Sequence, residues 1–198
     1  MPNPWTGMTA ALLIIGMLAG AAQADDGNPR EAFFERLQGL CGKAFAGRLV
    51  RFSRPDDDGW LEREVIIHVR ECSDDEIRIP LHVGDNRSRT WVIRRHADRL
   101  VLKHDHRHAD GSEDAVSWYG GSTLDDGRAW RQTFPVDAYS RALFLAHGLM
   151  PSIENLWSLE VQPGQMLAYE LVRPRRAFRA EFDLTRPVEP PPPPWGAE

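Results

Sequence analysis

Hydrophobic and polar residues alternate along most of the chain after residue 44. Short runs with an apolar residue at every second position are separated by Gly, Pro, Asp and Asn. Successive side chains of a β-strand point to opposite faces, so this pattern is typical of strands with one buried face. It predicts about ten strands, near residues 45–52, 61–71, 76–83, 89–95, 99–108, 115–122, 129–135, 154–161, 166–172 and 178–184.

Two segments carry helix signals instead of alternation. In residues 29–39, Asn28 suits the capping position, Pro29 suits the first turn, and Gly39 suits the end of a helix. A second short helix is predicted near residues 137–147. Because strands do not alternate with long helices, the pattern does not favour a parallel α/β sheet.

Half-buried antiparallel strands that follow one another directly predict a meander that closes on itself. We therefore expect a mainly β fold: an antiparallel up-and-down β-barrel of about ten strands with an N-terminal helix. The barrel domain is expected to span residues 25–186. Five consecutive prolines, at positions 190–194, predict that residues 187–198 form an extended, disordered tail.

The first 24 residues have the composition of an export signal. They contain no charged side chain, and an apolar core at 11–19 precedes Ala22-Gln23-Ala24, which fits the small-x-small rule of signal peptidase. The core is shorter than the roughly 20 apolar residues of a membrane span. We expect residues 1–24 to be a cleaved signal peptide, with translation starting at Met1 or Met8, and an uncleaved anchor as the alternative. The mature protein is then periplasmic or secreted.

Charge and cysteine content narrow the possible partners. The net charge of −5 argues against nucleic acid, because neutralising phosphates requires a basic surface. Cys41 and Cys72 are the two cysteines, and in an oxidising compartment such a pair predicts a disulfide. Two buried free thiols are the alternative. We expect no membrane span after the signal segment, and a monomer or a weak homo-oligomer.

One strand ends in an unusual series of histidines. Leu100, Leu102, His104, His106 and His108 fall on one face, because residues two apart in a strand point the same way. The apolar start of this series predicts that the imidazoles continue an inward-facing stripe. The alternatives are a solvated hairpin end, structural hydrogen bonding, and acid–base catalysis.

The same segment contains a spacing suited to metal binding. The pattern His106-x-His108-x4-Glu113-x6-Gly120 resembles the first motif of the cupins, in which two histidines and a glutamate hold a metal inside a β-barrel. The resemblance covers 15 residues. It implies a divalent transition metal on His106, His108 and Glu113, and a cupin-like β-sandwich or barrel as the alternative fold.

A second polar cluster points to ligand binding. Arg89 and Trp91 share a strand face, and an arginine beside an aromatic ring suits an anionic ligand group. Our leading hypothesis is a small-molecule-binding barrel with His104, His106, Arg89, Trp91 and Tyr119 in its pocket. The rivals are a metal-dependent enzyme or metal-binding protein, and a non-catalytic envelope interaction protein. No Gly-x-Ser-x-Gly elbow or phosphate-binding Gly-rich loop is present in the sequence, so a non-enzymatic role is favoured.

A helix followed by about ten meandering strands resembles the calycin barrels, particularly the fatty-acid-binding-like and nitrobindin-like forms. The segment Cys41-Gly42-Lys43-Ala44-Phe45-Ala46-Gly47 is similar in style to their first strand. Together with Ser88-Arg89-Thr90-Trp91 and Glu181-Phe182-Asp183-Leu184, it also resembles exported bacterial proteins that carry no assigned activity. The resemblance is architectural and implies the barrel, without assigning any functional residue.

Overall fold

The computed structural model describes Met1, residues 27–53 and residues 58–197, with the side chains of residues 58 and 59 left out. The predicted signal peptide therefore lies outside the described residues, apart from Met1. The described residues contain eleven strands: β1 (Ala44–Arg51), β2 (Val65–His68), β3 (Glu71–Cys72), β4 (Glu76–Val83), β5 (Asn86–Arg95), β6 (Leu100–His106), β7 (Tyr119–Ser122), β8 (Arg131–Pro135), β9 (Leu156–Gln162), β10 (Met166–Arg173) and β11 (Arg176–Val188).

Ten of these strands form a nearly closed antiparallel barrel, in the order β7-β6-β5-β4-β2-β1-β11-β10-β9-β8. Neighbours in the barrel are successive strands of the chain, and β11 returns to pair with β1. The short strand β3 pairs with β4. This topology confirms the predicted up-and-down barrel and differs from the cupin-like alternative.

The barrel closes where β7 meets β8, which we call the seam. Among the described residues, the isolated bridge between Gly121 and Val136 and the hydrogen bond from the Asp137 amide to the Gly120 carbonyl (3.0 Å) join the two sides. A Cβ on Gly121 would overlap the carbonyl oxygen of Pro135, and one on Gly120 would overlap backbone atoms of β6. Because neither glycine has a side chain, Gly121 lets β7 approach β8 this closely, and Gly120 lets β7 approach β6.

Helix α1 (Pro29–Gln38) covers one end of the barrel. The Asn28 side chain accepts a hydrogen bond from the Arg30 amide, which confirms the predicted cap. Phe33, Phe34 and Leu37 are fully buried in the barrel core. Burying three large apolar side chains stabilises this arrangement by several kcal/mol, at about 2 kcal/mol each.

A disulfide between Cys41 and Cys72, with a Cα–Cα distance of 6.3 Å, confirms the predicted pairing. It ties the chain just after α1 to strand β3, so the helix that covers this end of the barrel is also linked to the sheet.

The opposite end of the barrel is more open. Helix α2 (Asp58–Leu61), helix α3 (Ala138–Ala146) and a 3₁₀ helix (Met150–Glu154) lie around it. Helix α3 and the 3₁₀ helix connect the end of β8 to the start of β9, next to the β10–β11 turn. None of the described helices is long and apolar enough to cross a membrane.

The C-terminal segment differs from the disordered tail that its prolines predict. Strand β11 continues past residue 186 and pairs with the start of β1. Beyond it, Arg87 donates a hydrogen bond to the Pro193 carbonyl (2.7 Å), and the Trp195 amide donates to the Arg87 carbonyl (3.2 Å). One side-chain and one backbone hydrogen bond therefore hold this segment against the barrel, and the proline rings do not prevent them because a proline carbonyl oxygen still accepts.

Candidate functional site

Three neighbouring strands place the five predicted pocket residues together on the inner wall at the open end. In the β5–β6 pairing Arg89 lies opposite His106, and Trp91 lies opposite His104. In the β6–β7 pairing Tyr119 lies opposite His104. Cross-strand partners on one face are adjacent, so alternation along each strand assembles the whole cluster.

A cavity of about 330 Å³ lies against this cluster and contacts all five side chains. A second cavity of about 360 Å³ adjoins it towards α3 and the 3₁₀ helix, and shares His106 and Tyr119 with it. Ligand cavities in proteins are typically a few hundred Å³ and mostly apolar, with a few placed polar groups. The other side chains around the first cavity are Trp60, Leu81, Tyr169, Leu171, Arg176 and Phe178.

His104 sits deepest and has a defined tautomer. Its Nδ1 lies 3.1 Å from the backbone carbonyl oxygen of Tyr119, which can only accept, so Nδ1 donates. Nε2 then accepts from the hydroxyl of Tyr169 at 3.0 Å. Burial and, to a smaller extent, the nearby His106 together lower the pKa of His104 to about 3. His104 is therefore neutral at physiological pH.

A second imidazole–phenol pair lies nearer the mouth. The hydroxyl of Tyr119 and Nε2 of His106 are 2.9 Å apart. Burial and the cationic Arg89 together lower the pKa of His106 to about 4, with burial the larger cause. Burial also raises the pKa of Tyr119 to about 12 and that of Tyr169 well above its usual value. Near neutral pH, both pairs consist of neutral imidazoles and protonated phenols.

Arg89 is the charged member of the predicted cluster. Its guanidinium lies 5.9 Å from the ring of Trp60 and 3.4 Å from the side-chain oxygen of Asn86. Within the described part of the chain, no carboxylate forms an ion pair with Arg89. A half-buried cation that faces a cavity without an acidic partner favours an anion there.

The cavity wall is flat and aromatic. The rings of Trp91 and Tyr169 stack with centroids 4.5 Å apart, and those of His104 and Tyr119 stack at 4.7 Å. Trp157 lies 5.2 Å from the His104 ring. Such stacked surfaces provide a large apolar contact area with little conformational freedom to lose on binding.

The proposed metal ligands are separated from one another. His106 faces the cavity, whereas His108 lies beyond the end of β6, is exposed, and sits 3.9 Å from Asp114. Glu113 accepts a hydrogen bond from the indole of Trp118 (2.7 Å). Across residues 27–53 and 58–197, no group of three or more His, Cys, Asp or Glu side chains could hold a metal ion. The row of inward-facing side chains along β6 therefore ends at His106, and His108 is not part of it.

Several site residues were not identified from the sequence. Tyr169, Trp60 and Arg176 line the cavity, and Trp157 packs against His104. Tyr169 lies between Leu167 and the partly buried Leu171 in the alternation of β10, so its inward direction could have been inferred. Its pairing with His104, 65 residues away, could not.

Comparisons with known proteins add no functional residue to this site. No protein-family model, no curated protein and no solved structure matches the chain.

Proposed function

We propose that the protein is an exported β-barrel that binds a small anionic molecule with an apolar or aromatic body. The observation that carries this proposal is the cavity at the open end, where Arg89 faces an aromatic wall without a carboxylate partner among the described residues. Pockets that combine an apolar lining with a few polar groups are the usual sites for small ligands.

Each part of the site has a role in this binding. The Arg89 guanidinium pairs with the acidic group of the ligand, as arginine does in carboxylate and phosphate recognition. The neighbouring imidazole and phenol, His106 and Tyr119, offer uncharged hydrogen-bonding groups. Trp91 and Tyr169 contact the apolar body through their stacked rings.

Export and family form part of the same proposal. The disulfide between Cys41 and Cys72 suits an oxidising compartment, in keeping with the signal-like composition of the first 24 residues. A ten-stranded antiparallel meander is also the architecture of the calycin-like barrels, and this supports placing the chain among them.

Two aromatic probes that differ only in charge test the proposal. We expect 2-naphthoate to raise the melting temperature of the protein, and the neutral 2-naphthamide to raise it less. The Arg89→Gln variant should bind naphthoate about tenfold more weakly, because a charged hydrogen bond is worth about 1.5–3 kcal/mol. Thermal unfolding and isothermal titration calorimetry measure these differences.

Arg94→Gln is the matched control. Arg94 lies on the same strand, but on the outer face, where it pairs with Glu76. This variant should bind naphthoate as the wild type does. The proposal is wrong if neither probe binds, or if Arg89→Gln and Arg94→Gln bind naphthoate equally well.

A further inference from the structure

Helix α3 exposes an apolar face beside the open end of the barrel. Its one charged side chain is Arg141. Ser140 and Phe144 face inward and are buried, whereas Tyr139 and Leu145 point outward and are 54% and 50% exposed. A helix that is apolar on both sides is normally buried, so its outward face is suited to a non-aqueous partner.

The apolar face continues beyond the helix. Leu149 and Met150 follow α3 directly and are 39% and 55% exposed. Together, the side chains of Tyr139, Leu145, Leu149 and Met150 form what we call the apical patch. Leu149 also lines the cavity on the α3 side of the mouth, together with Phe144. The apical patch therefore borders the entrance to the proposed ligand site.

Basic side chains flank the apical patch. At the end of β10, Arg173 donates hydrogen bonds to the side chains of Ser152 (2.6 Å) and Asn155 (3.0 Å), which fixes the β10–β11 turn beside the 3₁₀ helix. Arg175 in the same turn is exposed, as is Arg141 on α3. Carboxylates also lie in this neighbourhood, because Glu154 of the 3₁₀ helix is exposed and Asp114 lines the cavity together with Leu149. Arg141 and Arg175 nevertheless place exposed positive charge beside the apical patch, although the whole chain carries a net charge of −5.

We infer that the apical patch docks on an anionic lipid bilayer, with its apolar side chains inserted at the interface and Arg141 and Arg175 on lipid phosphates. A bilayer has a negatively charged phosphate layer over an apolar interior. The apolar side chains of the apical patch match the interior, and the flanking arginines match the phosphate layer. Docking would bring the cavity entrance against the membrane. The inference does not depend on which ligand the cavity holds.

Vesicle binding tests the apolar part of the inference. We expect the protein without its first 24 residues to co-sediment with vesicles of phosphatidylcholine and phosphatidylglycerol, and not with phosphatidylcholine alone. The triple variant Leu145→Ser, Leu149→Ser, Met150→Ser should bind at least about tenfold more weakly, because it removes apolar groups that insert. Leu124→Ser is the matched control, since Leu124 is 83% exposed but lies in the β7–β8 loop, at the α1 end.

A charge reversal tests the basic part. Arg141→Glu should weaken binding about tenfold, because each basic residue near an anionic surface contributes about 1 kcal/mol and the glutamate is repelled. Arg128→Glu, an exposed position in the β7–β8 loop, should bind as the wild type does. Binding should also fall as ionic strength rises. Circular dichroism establishes that each variant is folded.

Three results would overturn the inference. The first is no binding to anionic vesicles at low ionic strength by the folded wild type. The second is equal binding by the triple variant and Leu124→Ser. The third is a dimer in light scattering that the triple variant abolishes while no vesicle binding is seen, which would assign the apical patch to self-association.

Discussion

At the scale of single residues, the neutral imidazoles inside the barrel are the unusual feature. Charged histidine is strongly disfavoured at His104 and His106, because burial removes the water that would stabilise the cation. His82, on the outer face, is also buried, and its pKa is lowered to about 4. All three side chains bind protons more readily in the unfolded chain than in the folded protein.

This difference predicts that acidification destabilises the protein. As the pH falls below the usual histidine pKa of 6.5, the unfolded chain binds protons that the folded protein excludes. His104 alone should account for a loss of about 2 kcal/mol in the free energy of unfolding between pH 7 and pH 5. Urea unfolding of His104→Gln should therefore show a pH dependence smaller by about that amount.

The wild type provides the comparison for this measurement. If His104→Gln loses as much stability as the wild type between pH 7 and pH 5, the prediction that His104 is buried and uncharged in the folded protein is wrong.

At the scale of elements, the disulfide and the cap of α3 fix two segments that the sheet alone does not hold. The Cys41–Cys72 bond encloses a sequence separation of 31 residues and links α1 to the sheet. Asp137 caps α3 by accepting a hydrogen bond from the Ser140 amide (2.8 Å), and it also pairs with Lys103 of β6. Helix α3 is thereby held against the barrel wall that carries Tyr119 and His104.

Removal of the disulfide should destabilise the protein substantially. The double variant Cys41→Ser, Cys72→Ser is expected to lose about 3–4 kcal/mol in free energy of unfolding, because the unfolded chain regains the freedom of the enclosed loop. Urea unfolding measures this loss. A thiol reductant should lower the stability of the wild type similarly and leave the double variant unaffected; equal stability of the two proteins would contradict the prediction.

The two interactions of Asp137 can be separated by paired substitutions. Asp137→Asn keeps a capping oxygen and removes the charge that pairs with Lys103. Asp137→Ala removes both, and should unfold with a free energy lower than that of Asp137→Asn by about 1 kcal/mol. Chemical denaturation of both variants provides the measurement, and equal stability would show that the cap contributes nothing.

Elements with a periodic side-chain pattern were predictable from the sequence. The run Ile77, Ile79, Leu81 and Val83 forms the inner face of β4 and is buried. Both α1 and α3 begin and end within one residue of their predicted bounds, because their capping residues have distinct chemistry. For the site, the same alternation predicted that Arg89 shares a face with Trp91 and that His104 shares a face with His106, and the β5–β6 pairing brings these two pairs together.

What the sequence did not indicate depends on long-range contacts. His108 follows the same spacing as His106, yet β6 ends at His106 and the chain turns outward. The docking of the C-terminal segment relies on backbone carbonyls, such as that of Pro193, which leave no side-chain pattern. The partnership of Tyr169 with His104 follows from barrel closure, which alternation within one strand does not encode.

At the scale of the whole molecule, the number of backbone hydrogen bonds between neighbouring strands varies around the barrel. Strands β4, β5 and β6 pair along most of their lengths, whereas the seam between β7 and β8 is held by the Gly121–Val136 bridge and the bond from Asp137 to Gly120. Local opening starts where the fewest hydrogen bonds must break.

Hydrogen exchange should therefore be fastest at the seam among the barrel strands. The backbone amide of Asp137, which donates across the seam to the Gly120 carbonyl, is expected to exchange before those of Val92 and Ile93 in β5. Residue-resolved exchange measured by NMR at neutral pH distinguishes these groups. Equal protection of the two sets would mean that the barrel opens as one cooperative unit and that the seam is not its weak point.

The two adjacent glycines at the seam, Gly120 and Gly121, should restrict which amino-acid substitutions the protein accepts. Even a methyl group would meet a neighbouring backbone at both positions: at Gly121 it would push β7 away from β8, and at Gly120 it would push β7 away from β6. In a library of random variants sorted for correct folding, these two codons should accept almost no replacement, although neither encodes a side chain. The close packing of the barrel strands thus depends on two residues that contribute no side chain to the barrel interior.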